Sequence, residues 1–219
     1  MTEAPAPRFS ILIPTWNNLG FLKLCIESIE KNSKFPHEIL IHVNDGSDGT
    51  LEWVRDKGYK HTWSKENIGV CWAMNSLRPL MSTHYLVYVN DDMYLLPGWD
   101  TALYEEIQKV PGKLWYFGCT LIESQPRIRH YIDCDFGRTP ETFREKELLE
   151  TYKSFRPEDW SGVWNPPTVV HRDIWDLVGG YSVEFSPGMA SDPDFNAKLW
   201  MAGVRIFKGV GRSLVYHFK

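Results

Sequence analysis

Cysteine is scarce in this sequence. The 219 residues hold four, Cys25, Cys71, Cys119 and Cys134, each alone in an apolar segment and none in C-x-x-C spacing. That usage fits reduced, buried thiols and gives no disulfide framework. Long apolar runs are missing as well. None approaches the roughly 20 residues that cross a bilayer, so no transmembrane segment is expected. Residues 1–8 lack the basic-then-hydrophobic order of a secretory signal and read as a flexible lead-in. Together these absences point to the cytoplasm or the cytoplasmic face of a membrane. No single sign of charge dominates: 24 Lys and Arg stand against 28 Asp and Glu, a net charge of −4. That balance argues against nucleic acid as a partner and gives no reason to expect wholesale binding to an anionic membrane. Internal repeats and low-complexity segments are also absent.

What is present begins with aromatics: ten Trp, ten Tyr and eleven Phe. Aromatic side chains fill cores, but they also form flat platforms on which bases and sugar rings stack. Trp160, Trp164 and Trp200 fit either use. The hydrophobic share of 43% and charged share of 24% are those of an ordinary globular domain. The length suits one domain with its own core. The last residues, 216–219, stop abruptly after a strand-like run, as a piece of a longer chain would.

Strand and helix signals alternate through the first half. Residues 10–14 (SILIP) form a short apolar run that reads as a buried strand. Asn17 or Asn18 is placed to cap a helix whose apolar face is Phe21, Leu22, Cys25, Ile26 and Ile29. Residues 38–43 read as a second strand, ended by the dense turn signal of residues 44–49. A helix over 51–56, a strand over 59–63 and a helix over 69–77 stopped by Pro79 follow. Residues 84–89 (HYLVYV) are another buried strand, running straight into Asn90-Asp91-Asp92. Trp99-Asp100 opens a helix to residue 110, with Asp100 as its cap. The second half is less regular, with strands expected over 114–119 and 128–133. A helix begins at Thr139-Pro140 and buries Phe143, Leu148, Leu149 and Tyr152. Residues 156–167 read as a Trp- and Pro-rich loop. A helix begins at Asp192-Pro193 and closes at Gly203, and final strands cover 204–207 and 213–216. This order predicts an α/β protein: a mostly parallel central sheet flanked by helices, with a small irregular lobe. In such sheets ligands bind beyond the carboxyl ends of the strands, so the polar clusters at 14–18, 44–50 and 90–92 should converge.

Three places carry chemistry. Asp91 and Asp92 are adjacent carboxylates at the end of an apolar strand, where a cation would relieve their repulsion. Mg²⁺ and Mn²⁺ take oxygen ligands and often share their shell with substrate phosphates. The same doublet also serves a plain turn. In the 44–50 cluster a carboxylate can accept the N–H of a pyrimidine base, while Pro14-Thr15-Trp16-Asn17 places a Trp beside it as a stacking face. Ser191-Asp192-Pro193-Asp194 reads equally as a helix cap and as the source of a general base for a hydroxyl nucleophile. His217 is a third metal ligand or a strand-end histidine.

Taken together and in order, these clusters resemble the family 2 glycosyltransferases, whose nucleotide-diphospho-sugar transferase fold is called GT-A. The likeness runs from Phe9 to Phe218. SILIPTWN (10–17) resembles the first strand and base-binding turn, and NDGSDGT (44–50) the second signature, whose acidic residue maps to Asp45. Asn67 and Gly69, followed by Ala73 and Asn75, resemble the segment beside the diphosphate. Asn90-Asp91-Asp92, with Pro97-Gly98-Trp99 behind it, resembles the D-x-D metal motif. Gly179-Gly180-Tyr181 resembles the approach to the catalytic loop, and Tyr216-His217 a terminal metal-binding histidine.

The resemblance implies a single GT-A domain over 9–219, with a nucleotide-sugar half (9–110) and an acceptor and catalytic half (111–219). It implies a nucleotide-sugar donor, a UDP-sugar, held by Pro14, Thr15, Trp16, Asn17, Asp45, Asn67, Gly69, Asn90 and Asp91. Mn²⁺ or Mg²⁺ would sit on Asp92 and His217. Asp192 would be the base of an inverting transfer to a glycan or glycoconjugate acceptor. The D-x-D begins with Asn90, and Asp194 competes with Asp192 by sequence. Two rivals remain at this level. A nucleotidyltransferase would carry a basic, Gly-rich loop after the first strand, and residues 14–20 have one Gly and no basic residue. A non-catalytic nucleotide-sugar-binding module would have less use for Asp192.

Overall fold

The computed structural model describes residues 6–219. The start of the lead-in expected over 1–8 therefore lies outside the described residues. Its last residue is tied down: the Arg8 N–H donates to the Pro36 carbonyl, and its guanidinium lies 4.3 Å from the Tyr104 ring centre.

Four strands build the first half in parallel: β1 (Ser10–Trp16), β2 (Glu38–Asn44), β3 (Lys60–Ser64) and β4 (Tyr85–Tyr88). β1 is buried along nearly its whole length because it lies between β2 and β4, which accounts for its unbroken apolar run. Helices α1 (Leu19–Asn32), α2 (Thr50–Asp56) and α3 (Gly69–Leu77) connect them. α1 buries Leu22, Cys25, Ile26 and Ile29 as its periodicity requires.

Six further strands complete the sheet: β5 (Met93–Leu95), β6 (Trp115–Glu123), β7 (Ile132–Asp133), β8 (Trp160–Ser161), β9 (Thr168–His171) and β10 (Ile206–His217). Beyond the parallel unit it becomes mixed, in the order β3-β2-β1-β4-β9-β6-β10-β5. β9 is antiparallel to both β4 and β6, and β5 is antiparallel to β10. The parallel order expected from the alternation thus holds for the first half and gives way where β9 enters. Helices α4 (Trp99–Lys109), α5 (Glu145–Thr151), α6 (Arg172–Val178) and α7 (Ser191–Met201) finish the chain. Among the described residues no helix is long and apolar enough to cross a membrane, and the four cysteines are unpaired.

Several local expectations are corrected. The two final strands are one, β10, whose register shifts between Val210 and Leu214. The loop expected over 156–167 contains β8, whose Trp160 lies against β10 so closely that a Cβ on Gly209 would fall 1.8 Å from its ring. No helix runs on from Thr139: Pro140–Thr142 is a single 3-10 turn, and α5 starts at Glu145. Between them Phe143 is extended, so its ring enters the aromatic cluster of Tyr94, Tyr216 and Phe218.

Asp100 does not cap α4. Fully buried, it accepts N–H groups of Lys34 and Phe35 and meets His37 at 3.2 Å, closing the loop after α1. Burial would raise its carboxyl, yet these hydrogen bonds, His37's foremost, hold it below the usual carboxylate range. Nor do Asn17 and Asn18 cap α1 through their side chains. The first α1 amide, at Leu19, is taken by Asp48 Oδ2 at 3.0 Å, from the cluster after β2.

Candidate active site

The three polar clusters converge beyond the carboxyl ends of β1, β2 and β4. Asn17 and Asp45 both adopt left-handed backbone, φ 46 and 62, a conformation that non-glycine residues adopt at a cost of roughly 1 kcal/mol or more. Their side chains are joined: Asn17 Nδ2 donates to Asp45 Oδ2 at 2.8 Å, and Asn17 Oδ1 accepts the Gly46 N–H at 2.9 Å. The exposed Trp63 indole donates to the Asp45 carbonyl. Buried Asn44 binds the two loops from below. Its Oδ1 accepts the Ile68 N–H at 2.9 Å, and its Nδ2 donates to the Thr15 carbonyl. Asn67 Oδ1 accepts the Gly69 N–H at the start of α3, so that side chain turns the backbone as well as facing the cavity.

The walls of a cavity of about 300 Å³ include Pro14, Thr15, Trp16, Asn67, Gly69, Asn90 and Asp91. Seven of the nine expected donor-binding residues therefore share one space, while Asn17 and Asp45 lie outside its walls. The Asp91 carboxyl is pushed up to about 7, first by burial, with Asp92's charge adding to the rise and the Thr15 hydroxyl (2.6 Å) pulling it down. Pro187 closes another side. It packs so near Gly69 (φ 77) that a Cβ there would lie 2.4 Å from its Cα, and its carbonyl accepts the Val70 N–H.

A second cavity, about 420 Å³, shares Val70, Tyr88 and Asn90 with the first, and adds Glu123, Arg127, Asn165, Asp192, His217 and Lys219. Asp192 sits at the second position of α7, but no side chain caps that helix. Its Oδ1 instead accepts the Tyr181 hydroxyl at 2.8 Å. Burial raises the Asp192 carboxyl, and the Tyr181 bond opposes the rise. Tyr181 is itself gripped at its backbone, where Asn75 Oδ1 accepts its N–H at 3.0 Å and Asn75 Nδ2 donates to its carbonyl at 2.8 Å. Asp194 belongs to neither cavity wall.

Asp92 and His217 meet between β5 and β10, with Nε2 3.4 Å from Oδ2. The other ring nitrogen stands 2.8 Å from Glu123 Oε2, and Lys219 Nζ 3.0 Å from Glu123 Oε1. Burial pulls the His217 imidazole down, but the two carboxylates outweigh it and raise it to about 9. Asp92 Oδ1 is buried without a hydrogen-bond partner, an arrangement that normally demands a donor or a cation. Among the described residues no three His, Cys, Asp or Glu side chains are grouped to hold an ion alone. Two protein ligands completed by phosphate oxygens remain compatible with that.

Sequence reasoning missed Glu123, and it had Tyr181 only as part of the G-G-Y motif, without its bond to Asp192. Glu123 is a lone carboxylate ending a buried strand, the same signal that drew attention to Asp91 and Asp92, but without a doublet to mark it.

The family model described as "Glycosyl transferase family 2" matches residues 10–162. The O-antigen biosynthesis protein RfbC of Myxococcus xanthus is 22% identical over 230 residues, a match covering 96% of this chain and 17% of RfbC. Among solved structures, S. aureus TarS 1–349 matches with a TM-score of 0.69 at 15% identity, over 96% of this chain and 60% of that one. GalNAc-T7, solved with UDP, GalNAc and Mn²⁺, matches with a TM-score of 0.71 at 13% identity, over 96% of this chain and 44% of that one. At such identities the structural likeness is one of fold, and this chain spans only part of each relative.

Proposed function

This chain belongs to glycosyl transferase family 2, and from that premise we propose that it transfers a sugar, with inversion, from a UDP-sugar to a hydroxyl of a glycan or glycoconjugate acceptor. The observation that carries the reading is the placement of Asp192. It is a half-buried carboxylate, free of any capping duty, on the wall of a cavity that shares Val70, Tyr88 and Asn90 with the space lined by the three strand-end clusters. O-antigen biosynthesis, the role named for RfbC, and the UDP found with a TarS crystal support the acceptor and donor classes.

In this reading Trp16 offers a face to the base, and Asp45, fixed by Asn17, accepts a base N–H. Asp91 lies toward the ribose, and Asn67 and Gly69 line the diphosphate. Asp192 Oδ takes the proton of the acceptor hydroxyl as that oxygen bonds to the anomeric carbon. The bond from that carbon to the diphosphate oxygen breaks, and its electron pair leaves with UDP. The raised Asp192 carboxyl is a stronger base than an exposed aspartate. Asp92, with its unpartnered oxygen, and His217 would hold Mn²⁺ or Mg²⁺, which when bound supplies positive charge for the departing diphosphate.

The test is product release from a panel of UDP- and GDP-sugars with Mn²⁺ or Mg²⁺, alongside isothermal titration of UDP. Metal-dependent UDP release from one donor is expected, lost in both Asp92→Ala and Asp192→Asn. Pyrophosphate as product would make the chain a nucleotidyltransferase. Absence of both turnover and metal-dependent UDP binding would sink the UDP-sugar reading and leave another donor, or a non-catalytic binding module, in its place.

A further inference from the structure

The three tryptophans that the sequence left between core and platform separate in the structure. Trp160 is 6% exposed, packed over Gly209 with its indole N–H toward Thr120 Oγ1 at 3.3 Å. Trp164 and Trp200 are each 54% exposed, and they border one concavity of about 310 Å³ whose other walls include Gly162, Asn196 and Phe207. Neither tryptophan is spent on the core.

The polar lining of this concavity is incomplete in a specific way. Asn196 Nδ2 donates to the Val163 carbonyl at 2.8 Å, which fixes the amide, while its Oδ1 is buried without any partner. A buried amide oxygen without a donor costs roughly 1–3 kcal/mol, and a small rotation of the side chain into the concavity it lines would let a ligand hydroxyl relieve that cost. Two indoles beside one hydrogen-bond acceptor suit a pyranose, whose C–H face packs on aromatic rings while its hydroxyls seek polar atoms. Arg205 lies 4.1 Å from the centre of the Trp200 ring and bonds the Trp200 carbonyl, which restrains that residue.

The position of this concavity is equally telling. α7 carries Asp192 at its start, Asn196 one turn later and Trp200 about two turns along, roughly 12 Å down the axis. Residues 162–166 run on in the same way: Asn165 and Pro166 line the Asp192 cavity, and Gly162, Val163 and Trp164 line this one. We propose that Trp164, Trp200 and Asn196 form a carbohydrate subsite that holds acceptor-glycan residues one or more units away from the sugar that receives the transfer. The proposal rests on the glycan-acceptor reading given above.

The experiment is an array of mono- to hexasaccharides from bacterial surface polysaccharides, probed with labelled protein without donor, each hit being measured by titration calorimetry. Wild type is expected to bind at least one glycan, longer chains more tightly than monosaccharides. Trp164→Ala and Trp200→Ala should each weaken that binding about tenfold, Trp200→Phe should weaken it less, and melting temperatures report folding. No glycan bound by wild type overturns the subsite, as does binding that both alanine variants retain. Self-association in sedimentation that the alanine variants abolish would assign the face to a second copy instead. UDP release by the wild-type preparation reads the donor proposal separately. Glycan binding through the tryptophans, with neither UDP release nor metal-dependent UDP binding, sinks the donor reading and leaves the subsite standing. UDP release with glycan binding indifferent to the tryptophans does the reverse.

Discussion

In the proposed transfer, the strength of Asp192 as a base depends on what holds it. The Tyr181 hydroxyl is its one hydrogen-bond partner of note, and Asn75 grips Tyr181 by two backbone bonds. That bond stabilises the carboxylate, so removing it leaves burial unopposed and raises the carboxyl further. A base must be ionised to act, so Tyr181→Phe should move the acid limb of the kcat/KM profile to higher pH and lower kcat severalfold. A shift of the limb to lower pH would refute this role for Tyr181. A substitution that merely loosened packing would lower activity without moving the limb. The candidate base was legible in the sequence because S-D-P-D stands at a helix start after G-G-Y. Its grip was not, because a tyrosine eleven residues upstream touches it only after the intervening turn is folded. Glu123 is the starker case, facing His217 from 94 positions away.

At the scale of elements, glycine and aspartate placements decide where loops and helices sit. Gly69 starts α3 at φ 77 with Pro187 pressed against it. Gly69→Ala should cost at least about 1 kcal/mol from backbone strain alone, and displacement of the 186–190 segment should weaken UDP binding. Urea unfolding and calorimetry read the two effects, and wild-type values for both would refute the packing argument. Asp100→Ala leaves the Lys34 and Phe35 amides and His37 without their acceptor, a loss expected to cost about 3 kcal/mol. Urea unfolding at pH 7 measures it, and a cost near zero would show that water replaces the carboxylate. Sequence reasoning placed most elements of the first half, where apolar runs alternate with short polar turns. It read Asp100 as the cap of its own helix because a local rule sufficed, and the structure shows that aspartate closing a loop some 65 residues earlier. In the second half β9, α6 and β8 went unread. Their strands are two to four residues long and take their place from partners distant in sequence.

For the whole molecule, one buried histidine sets a pH window for stability. His42 on β2 lies among Thr62, Ser64 and Ser76, and burial lowers its imidazole from 6.5 to about 4. Between those values the unfolded chain binds a proton that the folded one refuses. Stability should therefore fall as pH drops below 6.5, with the loss complete near pH 4 and worth roughly 3 kcal/mol. His42→Gln should flatten the dependence of urea unfolding on pH across that window. An unchanged slope would assign acid sensitivity to other groups. The family, the α/β alternation and the clusters at residues 14–18, 44–50, 90–92 and 192 could all be read from residue order. Strand periodicity and turn chemistry are local, and the ends of parallel strands must share one edge of a sheet. Folding alone decided that β9 runs against its neighbours, that Glu123 faces His217, that Asp192 rests on Tyr181 rather than capping α7, and that Trp160 is buried while Trp164 and Trp200 stand open. Each of these depends on which surfaces meet across long sequence separations, and neither propensity nor spacing encodes such pairings.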